Sequence, residues 1–454
     1  MSMLLHIKQR CAAIAGVSLA ATALAVNTGV AGGDLPKLTY EKFTLPNGLR
    51  VILSVDKSAP VVSTFVHYHV GSKNERPDRT GFAHFFEHLM FEGTSNIPRH
   101  TLDKIVQSAG GNLNAFTSND ETGYQINLPS NQLKLALWIE SERMLHARVE
   151  EIGVETQRDV VKEERKNRYD NTPYGSLLAN IFANVAKGTP YEWTPIGEAQ
   201  YIDQAAIEEF RDFYKKYYVP NNAVLAVVGD IDLAKAKQWV MEYFSDIPRG
   251  AEIERPQVTM QTGKGEHTVE VREPHTPLPA LVYAYPGAKK GDPDAYALEI
   301  LSTVLASGQS SRLYKDMVDE KRLAVGVQSL TFDMESAGVI GFFAVAHPTS
   351  TMSVLGQEFD RQIELVKEQG VTEKEFQKAR NQIETQFAGR FNEPLDKAMA
   401  LASYETYFNN PELVNTEIDK YMAVTREDLQ RVARKYLAKD NRTIINYYPG
   451  SQGG

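Results

Sequence analysis

The sequence predicts an α+β protein built from two related halves. The first observation is an alternation of β-rich and helical patterns that runs from Tyr40 to about Arg249. The second is a linker-like composition around residues 250–265, after which the alternation restarts. The third is a similarity between the two halves at a spacing of about 215 residues. Two unrelated α+β units with similar patterns would also explain these observations.

The composition is that of a globular protein that can bury large cores. The chain has 454 residues, of which 42% are hydrophobic and 24% are charged, and this excludes wholesale disorder. The formal net charge of −9 argues against a nucleic acid as the main partner, because nucleic-acid-binding proteins carry basic surfaces. The single cysteine excludes both a disulfide framework and a metal site made of several cysteines.

The N-terminal residues 1–31 have the features of a secretory signal peptide. Lys8 and Arg10 precede an apolar run of about 16 residues, which is shorter than the roughly 20 residues that a membrane-spanning helix needs. Small residues predict cleavage after about residue 25 or residue 31. An uncleaved membrane anchor is the alternative. We expect an exported protein, periplasmic or secreted, without stable membrane insertion after cleavage.

The first half, residues 35–250, contains β-rich runs separated by helical patterns. Runs rich in Val, Ile and Thr predict strands, whereas apolar residues recurring every three to four positions predict helices. The predicted strands are 51–55, 61–70 and 223–228, and the predicted helices are 82–91, 102–108, 132–145 and 154–168. The following segment, 251–265, is rich in Arg, Pro, Gln, Thr and Gly, and this composition predicts a linker.

The second half, residues 266–450, repeats the order of strand, charged loop, helix and glycine. The helical patterns 82–91 and 297–306 each follow a β-rich run, and they precede Gly93 and Gly308, respectively. An internal duplication of one domain would explain this agreement.

One predicted helix carries the residues of a candidate metal site. His84 and His88 are four residues apart, so both imidazoles lie on one helical face, and Glu87 lies on the same side. Two neutral imidazoles at this spacing can bind zinc, and a neighbouring carboxylate can accept a proton from an attacking water. The order His-x-x-Glu-His is the signature of inverted-motif zinc peptidases. On these residues alone, a hydrogen-bonded histidine pair in an apolar core is the alternative.

A catalytic zinc needs a third protein ligand, and the helical segment 157–165 offers Glu163 and Glu164. With this segment the chain resembles the pitrilysin/insulinase family of zinc peptidases, which includes mitochondrial processing peptidase. In that family the third ligand follows the second histidine by about 76 residues, and this spacing favours Glu164. The segments 110–117 and 217–232 also resemble family motifs. The resemblance covers nearly all of the mature chain.

The resemblance implies a fold and a metal site. The implied fold is half of a clamshell, made of two homologous domains in which a mostly antiparallel sheet packs against helices. The implied cofactor is one Zn²⁺ per chain, with His84, His88 and Glu164 as ligands. Glu87 would be the general base of peptide hydrolysis.

The resemblance also implies a substrate site at the edge of a sheet. In the family an extended peptide adds as a further strand beside the segment that matches Asn114, Ala115, Phe116 and Thr117. The expected activity is therefore zinc-dependent endopeptidase cleavage of unfolded or extended peptides. A noncatalytic structural or peptide-binding subunit of the same fold is the alternative, and the complete set of ligands and base argues against it.

Two sites depart from the family pattern. The family usually has an acid seven residues before Glu164, whereas this chain has Gln157. We expect the amide of Gln157 to support the site by hydrogen bonding from outside the ligand set. The alignment of the two halves puts Glu299, Ser302 and Thr303 opposite the three motif residues, so that the second half is expected to be noncatalytic.

The Arg and Tyr with which the family holds its peptide are also missing. Val318 and Val325 stand at the matching positions, and valine side chains cannot donate hydrogen bonds. We therefore expect this chain to be the metal-bearing subunit of a heterodimer, with a homologous inactive partner that supplies the Arg–Tyr pair. A homodimer or a monomer is the alternative.

Overall fold

Two β-sheets, each packed against helices, make up the described part of the chain. The structure, a computed structural model, describes residues 37–450 except 257 and 264, so the predicted signal peptide lies outside the described residues. The strands are β1 (Glu41–Thr44), β2 (Arg50–Val55), β3 (Val61–Tyr68), β4 (Asn112–Thr117), β5 (Thr122–Pro129), β6 (Ala223–Gly229), β7 (His267–Glu273), β8 (Ala280–Gly287), β9 (Ala324–Asp333), β10 (Gly338–Ala346) and β11 (Thr443–Pro449).

Helices lie between these strands throughout the chain. They are α1 (Phe82–Leu89), α2 (Leu102–Ser108), α3 (Leu133–His146), α4 (Glu151–Arg165), α5 (Leu177–Val185), α6 (Ala199–Gln204), α7 (Ile207–Tyr217), α8 (Leu233–Phe244), α9 (Pro293–Ala306), α10 (Arg312–Tyr314), α11 (Met352–Gln369), α12 (Glu373–Ala388), α13 (Pro394–Phe408), α14 (Leu413–Met422) and α15 (Arg426–Tyr436). None of the described helices combines the length and the apolar character that crossing a bilayer requires.

The two sheets share one strand order. The first sheet has the order β1-β2-β6-β3-β5-β4, and the second has the order β7-β11-β8-β10-β9. Apart from the additional β1, the strands correspond one to one in sequence order. The pairs β2–β6 and β7–β11 are parallel, and the other neighbouring pairs are antiparallel. The predicted fold class, two similar domains with mostly antiparallel sheets packed against helices, is confirmed, whereas the exact domain limits stay a prediction.

The sequence locates most elements to within a few residues. Helix α2 coincides with the predicted helix 102–108. The predicted helix 154–168 differs more, because α4 already begins at Glu151 and ends at Arg165, after which Lys166–Asp170 forms a π-helical turn. A search for apolar residues at the 3.6-residue repeat of a regular helix cannot detect a π-helical turn, so the sequence did not predict it.

Each sheet has two covered faces. On β3, Val66 and Tyr68 point into a core shared with the phenylalanines of α1, whereas Phe65 points to the opposite face. This alternation follows from the two-residue repeat of a strand. The sheet that carries the candidate site is therefore fixed from both sides.

Each sheet has one face covered by a helix from the other half of the chain. Helix α13 of the second half covers the Phe65 face of the first sheet, where its Leu401 is fully buried. In return, helix α5 of the first half packs Ile181 and Phe182 against Val282 of the second sheet. Because each sheet buries a face under a helix from the other half, we expect the two halves to fold as one unit.

Candidate metal centre

Helix α1 carries the three motif residues, and a buried acid caps its N-terminus. Gly81 precedes the helix with a φ of 95° and offers no side chain to its free amides. Glu75 accepts hydrogen bonds from the backbone amides of Gly81 at 2.9 Å and Ala83 at 2.7 Å. Trp193 Nε1 donates a further bond to Glu75 at 3.1 Å. Burial raises the pKa of Glu75 to about 8, and the hydrogen bonds to Ala83 and Gly81 oppose this rise.

The structure brings the three ligand candidates together. His84, His88 and Glu164 each offer one ligand atom, and these atoms lie within 4.8 Å of one another. His88 Nε2 is 3.1 Å from Glu164 Oε2, and His84 Nε2 is 3.7 Å from Glu164 Oε1. Burial favours a higher pKa for Glu164, but the two imidazoles hold that pKa well below its usual range. Glu163, the alternative ligand, is exposed.

The donor set fits a zinc ion. Two imidazole nitrogens and one carboxylate oxygen form a common ligand set of catalytic zinc sites, which leave one position open. His84 Nδ1 is buried and has no hydrogen-bond partner in the described part of the chain, so Nε2 is the ring atom that contacts the rest of the set. Among the described residues, no second group of three or more His, Cys, Asp or Glu side chains is as close together.

Glu87 projects into the same cavity as the ligand candidates. Its Oε2 accepts a hydrogen bond of 2.8 Å from Thr117 Oγ1. Thr117 is the last residue of β4, so this bond joins the motif helix to the predicted substrate strand. From the sequence, Thr117 was expected only to bind peptide, and no spacing along the chain indicates its contact with the candidate base.

Gln157 links His88, a candidate ligand, to a buried acid. The Nδ1 of His88 lies 3.1 Å from Gln157 Oε1. An amide oxygen only accepts, so a hydrogen bond between these atoms requires the tautomer of His88 with a proton on Nδ1. Gln157 Nε2 donates a 2.6 Å bond to Glu92 Oε1, and Arg99 Nε donates a 2.6 Å bond to Glu92 Oε2. Gln157 thus lies outside the set of candidate ligands and contacts one of them. Sequence reasoning missed Glu92, which is almost fully buried.

The candidate site opens into a cavity of about 380 Å³. Asn114, Ala115, Phe116 and Thr117 of β4 all line this cavity, and Phe332 of the second half completes the wall. Within the described residues β4 pairs only with β5, so its other edge is open. The structure therefore places an open strand edge beside the candidate metal ligands, and an extended peptide could pair with it.

The π-helical turn after α4 brings Arg168 and Tyr169 to the cavity. The guanidinium of Arg168 contacts Glu164 Oε1 in an ion pair. Val318 and Val325 lie elsewhere in the second half, the former against its core and the latter exposed. Among the described residues that line this cavity, Arg168 is the only arginine. Sequence reasoning missed Arg168 because a regular helix was assumed there.

Comparison with known proteins identifies the family. The family model described as "Insulinase (Peptidase family M16)" matches residues 50–195, and the model described as "Peptidase M16 inactive domain" matches residues 205–383. The chain is 32% identical over 420 residues to the zinc protease PqqE of Helicobacter pylori, which covers 91% of this chain and 94% of the relative. The chain belongs to the insulinase family, M16.

Solved structures share the fold of this M16 chain. A protease from Helicobacter pylori superimposes with a TM-score of 0.86 at 31% identity, covering 91% of this chain and 100% of that one. The periplasmic protease PqqL from Escherichia coli matches with a TM-score of 0.74 at 20% identity, covering 90% of this chain and 47% of PqqL. This M16 chain therefore has the fold of about half of PqqL, and the expected clamshell-half architecture is confirmed.

Proposed function

We propose that this M16 chain is a zinc metalloendopeptidase that cleaves unfolded or extended peptides. The observation that carries the proposal is the approach of His84, His88 and Glu164 to within 4.8 Å of one another in a cavity that also contains Glu87. These three residues would hold the zinc ion. When bound, zinc would supply a Lewis acid that polarises the peptide carbonyl and lowers the pKa of a water.

Glu87 is the proposed general base. Its carboxylate accepts a proton from the attacking water and then delivers a proton to the leaving amine. The hydroxyl of Thr117 holds one carboxylate oxygen at 2.8 Å and so fixes the orientation of Glu87. The Gln157 amide oxygen lies 3.1 Å from Nδ1 of His88 and would hold the ring with its Nε2 towards the zinc ion.

The open edge of β4 is the proposed peptide site. A peptide that pairs there is bound through main-chain hydrogen bonds, which recognise an extended backbone rather than particular side chains. The cavity volume of about 380 Å³ accommodates a few residues of such a chain. Substrates are therefore peptides or unfolded segments, since a folded protein offers no free strand.

A homologous inactive partner is the proposed source of the missing Arg–Tyr pair. The valines at Val318 and Val325 support this proposal, as does the match of the chain to 47% of the length of PqqL. Export to the periplasm is proposed from the N-terminal sequence. A native mass of the protein purified from its own cells, with the compartment and any co-purifying homologue identified, tests both proposals.

Substitution of the proposed base tests the catalytic function. The zinc-loaded protein, alone or with a co-purified homologue, is expected to cleave a quenched unstructured peptide, and a zinc chelator is expected to abolish cleavage. Glu87→Gln should lower kcat by roughly 10²–10⁴-fold, because general-base catalysis contributes about that factor. The variant should retain zinc, measured by elemental analysis. Full activity of Glu87→Gln, or no cleavage by any zinc-loaded preparation, would refute the proposal and favour a noncatalytic subunit.

A further inference from the structure

Strand β4 lies at the edge of the first sheet, and two parts of the candidate site depend on its position. It pairs on one side with β5, and its other edge is the proposed peptide site. Its last residue, Thr117, holds the proposed base Glu87. A shift of β4 would move both the peptide and the base, and a displacement of about 1 Å can cost roughly 10²-fold in rate. The contacts that fix β4 therefore matter for the proposed activity.

The turn that follows β4 contacts the second half of the chain. This turn, 118–121, joins β4 to β5, and the turn 334–337 joins β9 to β10. The two turns are equivalent, because β9 and β10 correspond to β4 and β5 in the shared strand order. The backbone amide of Glu335 donates a 2.8 Å hydrogen bond to Asp120 Oδ2. The tips of two equivalent hairpins are therefore in direct contact.

A buried lysine joins both hairpin tips. Lys73 Nζ donates a 2.7 Å hydrogen bond to Asp120 Oδ1, and it forms a second ion pair with Glu335 Oε2. The side chain of Lys73 is only 1% exposed, so these two carboxylates replace the water that would otherwise solvate its ammonium group. Loss of the charge on either carboxylate would leave a buried cation less well compensated, and it would weaken the contact between the tips.

Further hydrogen bonds hold the same two turns together. The hydroxyl of Tyr191 donates a 2.6 Å bond to Asp120 Oδ1 and accepts a 3.2 Å bond from the backbone amide of Ser336. His69 Nε2 lies 2.8 Å from Glu335 Oε2. The contact is therefore a largely buried network of hydrogen bonds and ion pairs, which restricts both turns more strongly than a single surface ion pair would.

The segment that carries Lys73 connects this network to the rest of the candidate site. The backbone amide of Lys73 donates a 2.9 Å hydrogen bond to the carbonyl oxygen of Asn119, so Lys73 binds the turn through its main chain as well. Asn119 lines the cavity of the candidate site, and its side-chain amide donates a 3.1 Å bond to Ser72 Oγ. Two residues after Lys73 is Glu75, which caps the motif helix α1. The network thus adjoins both the peptide strand and the motif helix.

We propose that Lys73, Asp120 and Glu335 are positioning residues, through which the second half of the chain holds β4 at the zinc site. The proposal rests on the proposed function, because β4 and Thr117 act there on the peptide and on the base. The second half then supports the activity without metal ligands of its own, since it supplies the carboxylate and the backbone amide of Glu335. Loss of the network displaces β4, which weakens peptide binding and, through Thr117, lowers kcat.

Steady-state kinetics of the full zinc-loaded chain, with any co-purified homologue, test the proposal. Asp120→Asn and Glu335→Gln keep the shapes of the side chains and remove the charges that bind Lys73. Each should lower kcat/KM for a quenched unstructured peptide by roughly 10–100-fold, with zinc retained. Glu335 is 27% exposed, so Glu335→Gln provides the test if Asp120→Asn does not fold. Glu320→Gln, at an exposed acid of the second half, is the matched control and should leave kcat/KM unchanged.

A double-mutant cycle distinguishes a positioning role from a general loss of folded protein. Thr117→Val removes the hydroxyl that holds Glu87. Because the network acts on kcat through Thr117, Glu335→Gln should lower kcat in the unmodified chain but change it by less than about twofold in the Thr117→Val background. It should still raise KM in that background, since the peptide edge of β4 is displaced in both. An equal reduction of kcat in both backgrounds would overturn the positioning role.

Peptide binding separates this proposal from the proposed hydrolysis. A fluorescent unstructured peptide is titrated into zinc-loaded Glu87→Gln, and anisotropy measures its affinity. Adding Asp120→Asn or Glu335→Gln should weaken the affinity by at least about tenfold, whereas adding Glu320→Gln should not change it. This result, together with no cleavage by the unmodified chain, would refute hydrolysis and still support the positioning role. If no preparation binds the peptide at millimolar concentration, or if neither substitution changes its affinity, the proposal is wrong.

Discussion

At the scale of single residues, Gln157 replaces a charge with a chain of hydrogen bonds. Its amide oxygen is 3.1 Å from His88 Nδ1, and its nitrogen donates to Glu92, whose second oxygen binds Arg99. An amide can accept one hydrogen bond and donate another. Gln157 can therefore orient the His88 ring, as a carboxylate at this position would, while Glu92 holds Gln157 in place. The nearest carboxylate on this side of His88, that of Glu92, therefore lies one residue further away, and it is ion-paired with Arg99.

Gln157→Ala is expected to weaken zinc binding by about 10–100-fold, because it removes the acceptor that orients His88. Gln157→Glu, which keeps an acceptor, should bind zinc at least as tightly as the unmodified chain. Competition with a chromophoric chelator measures the affinity. Asp159→Asn, an exposed substitution on the same helix, is the control. Equal affinities for the alanine variant and the control would show that the amide does not support the site.

Arg168 is the second residue whose role can be tested. Its guanidinium forms an ion pair with the candidate ligand Glu164 and lines the cavity in which a peptide carbonyl would bind. Arg168→Ala is expected to lower kcat/KM by roughly 10–100-fold, since a hydrogen bond to a charged group is worth about 1.5–3 kcal/mol. Lys166→Ala removes an exposed cation from the same turn and is the matched control. Unchanged kcat/KM in Arg168→Ala with zinc retained would exclude a role in substrate binding.

At the scale of elements, the motif helix depends on a residue that is not part of it. Glu75 satisfies amides at the start of α1 that Gly81 cannot satisfy. Its burial is complete enough to raise its pKa to about 8, so that near neutral pH the folded chain holds a proton that the unfolded chain has lost. The helix position, and with it the spacing of the ligand atoms, is thus coupled to a buried acid.

The contribution of Glu75 to stability is expected to change with pH. Its pKa is raised above the unfolded value of 4.5, so the free energy of unfolding should fall as pH rises from about 4.5 to about 8. Glu75→Gln should match the unmodified chain near pH 4.5 and exceed its stability at pH 8 by roughly 3–5 kcal/mol. Urea titrations at several pH values measure this difference. Glu151→Gln, at an exposed acid in the first turn of α4, should show no such trend, and a flat difference for Glu75→Gln would contradict the prediction.

At the scale of the whole molecule, the exchange of helices joins two duplicated halves into one. Helix α13 covers one face of the first sheet, and α5 covers one face of the second. The same arrangement leaves a second cavity, of about 860 Å³, between the two halves, where residues of the first sheet face α9 and β9. The two halves therefore hold two related cavities, and among the described residues only the cavity of the first half carries the candidate metal ligands.

Leu401→Ala tests whether the halves unfold together. The substitution removes buried side-chain volume from α13 and is expected to cost about 2–5 kcal/mol. All three tryptophans lie in the first half, at positions 138, 193 and 239, so their fluorescence reports that half alone. We expect the fluorescence and circular dichroism transitions to shift together. Val354→Ala, at an exposed site, should have little effect. A fluorescence transition unaffected by Leu401→Ala would indicate independent halves.

Local sequence patterns predicted most of the helices and strands, and they predicted the part of the candidate site that lies on α1. Helical periodicity places His84, Glu87 and His88 on one face, and α1 forms where that pattern predicts it. The choice of Glu164 came from a family spacing, and the packing of α4 against α1 brings it to the two imidazoles. The repeat between the halves predicted two similar domains, which the strand orders bear out.

The sequence by itself determined the fold class and the motif helix, because both follow from periodicity, and its motifs and the spacing of His88 and Glu164 showed the resemblance to the family. Only the tertiary structure decided which side chains meet across elements. The Glu75 cap, the bond from Thr117 to Glu87, the Gln157–Glu92 link and the second cavity all join residues from separate elements. Such contacts depend on how helices and sheets pack, and neither residue type nor spacing along the chain specifies that packing.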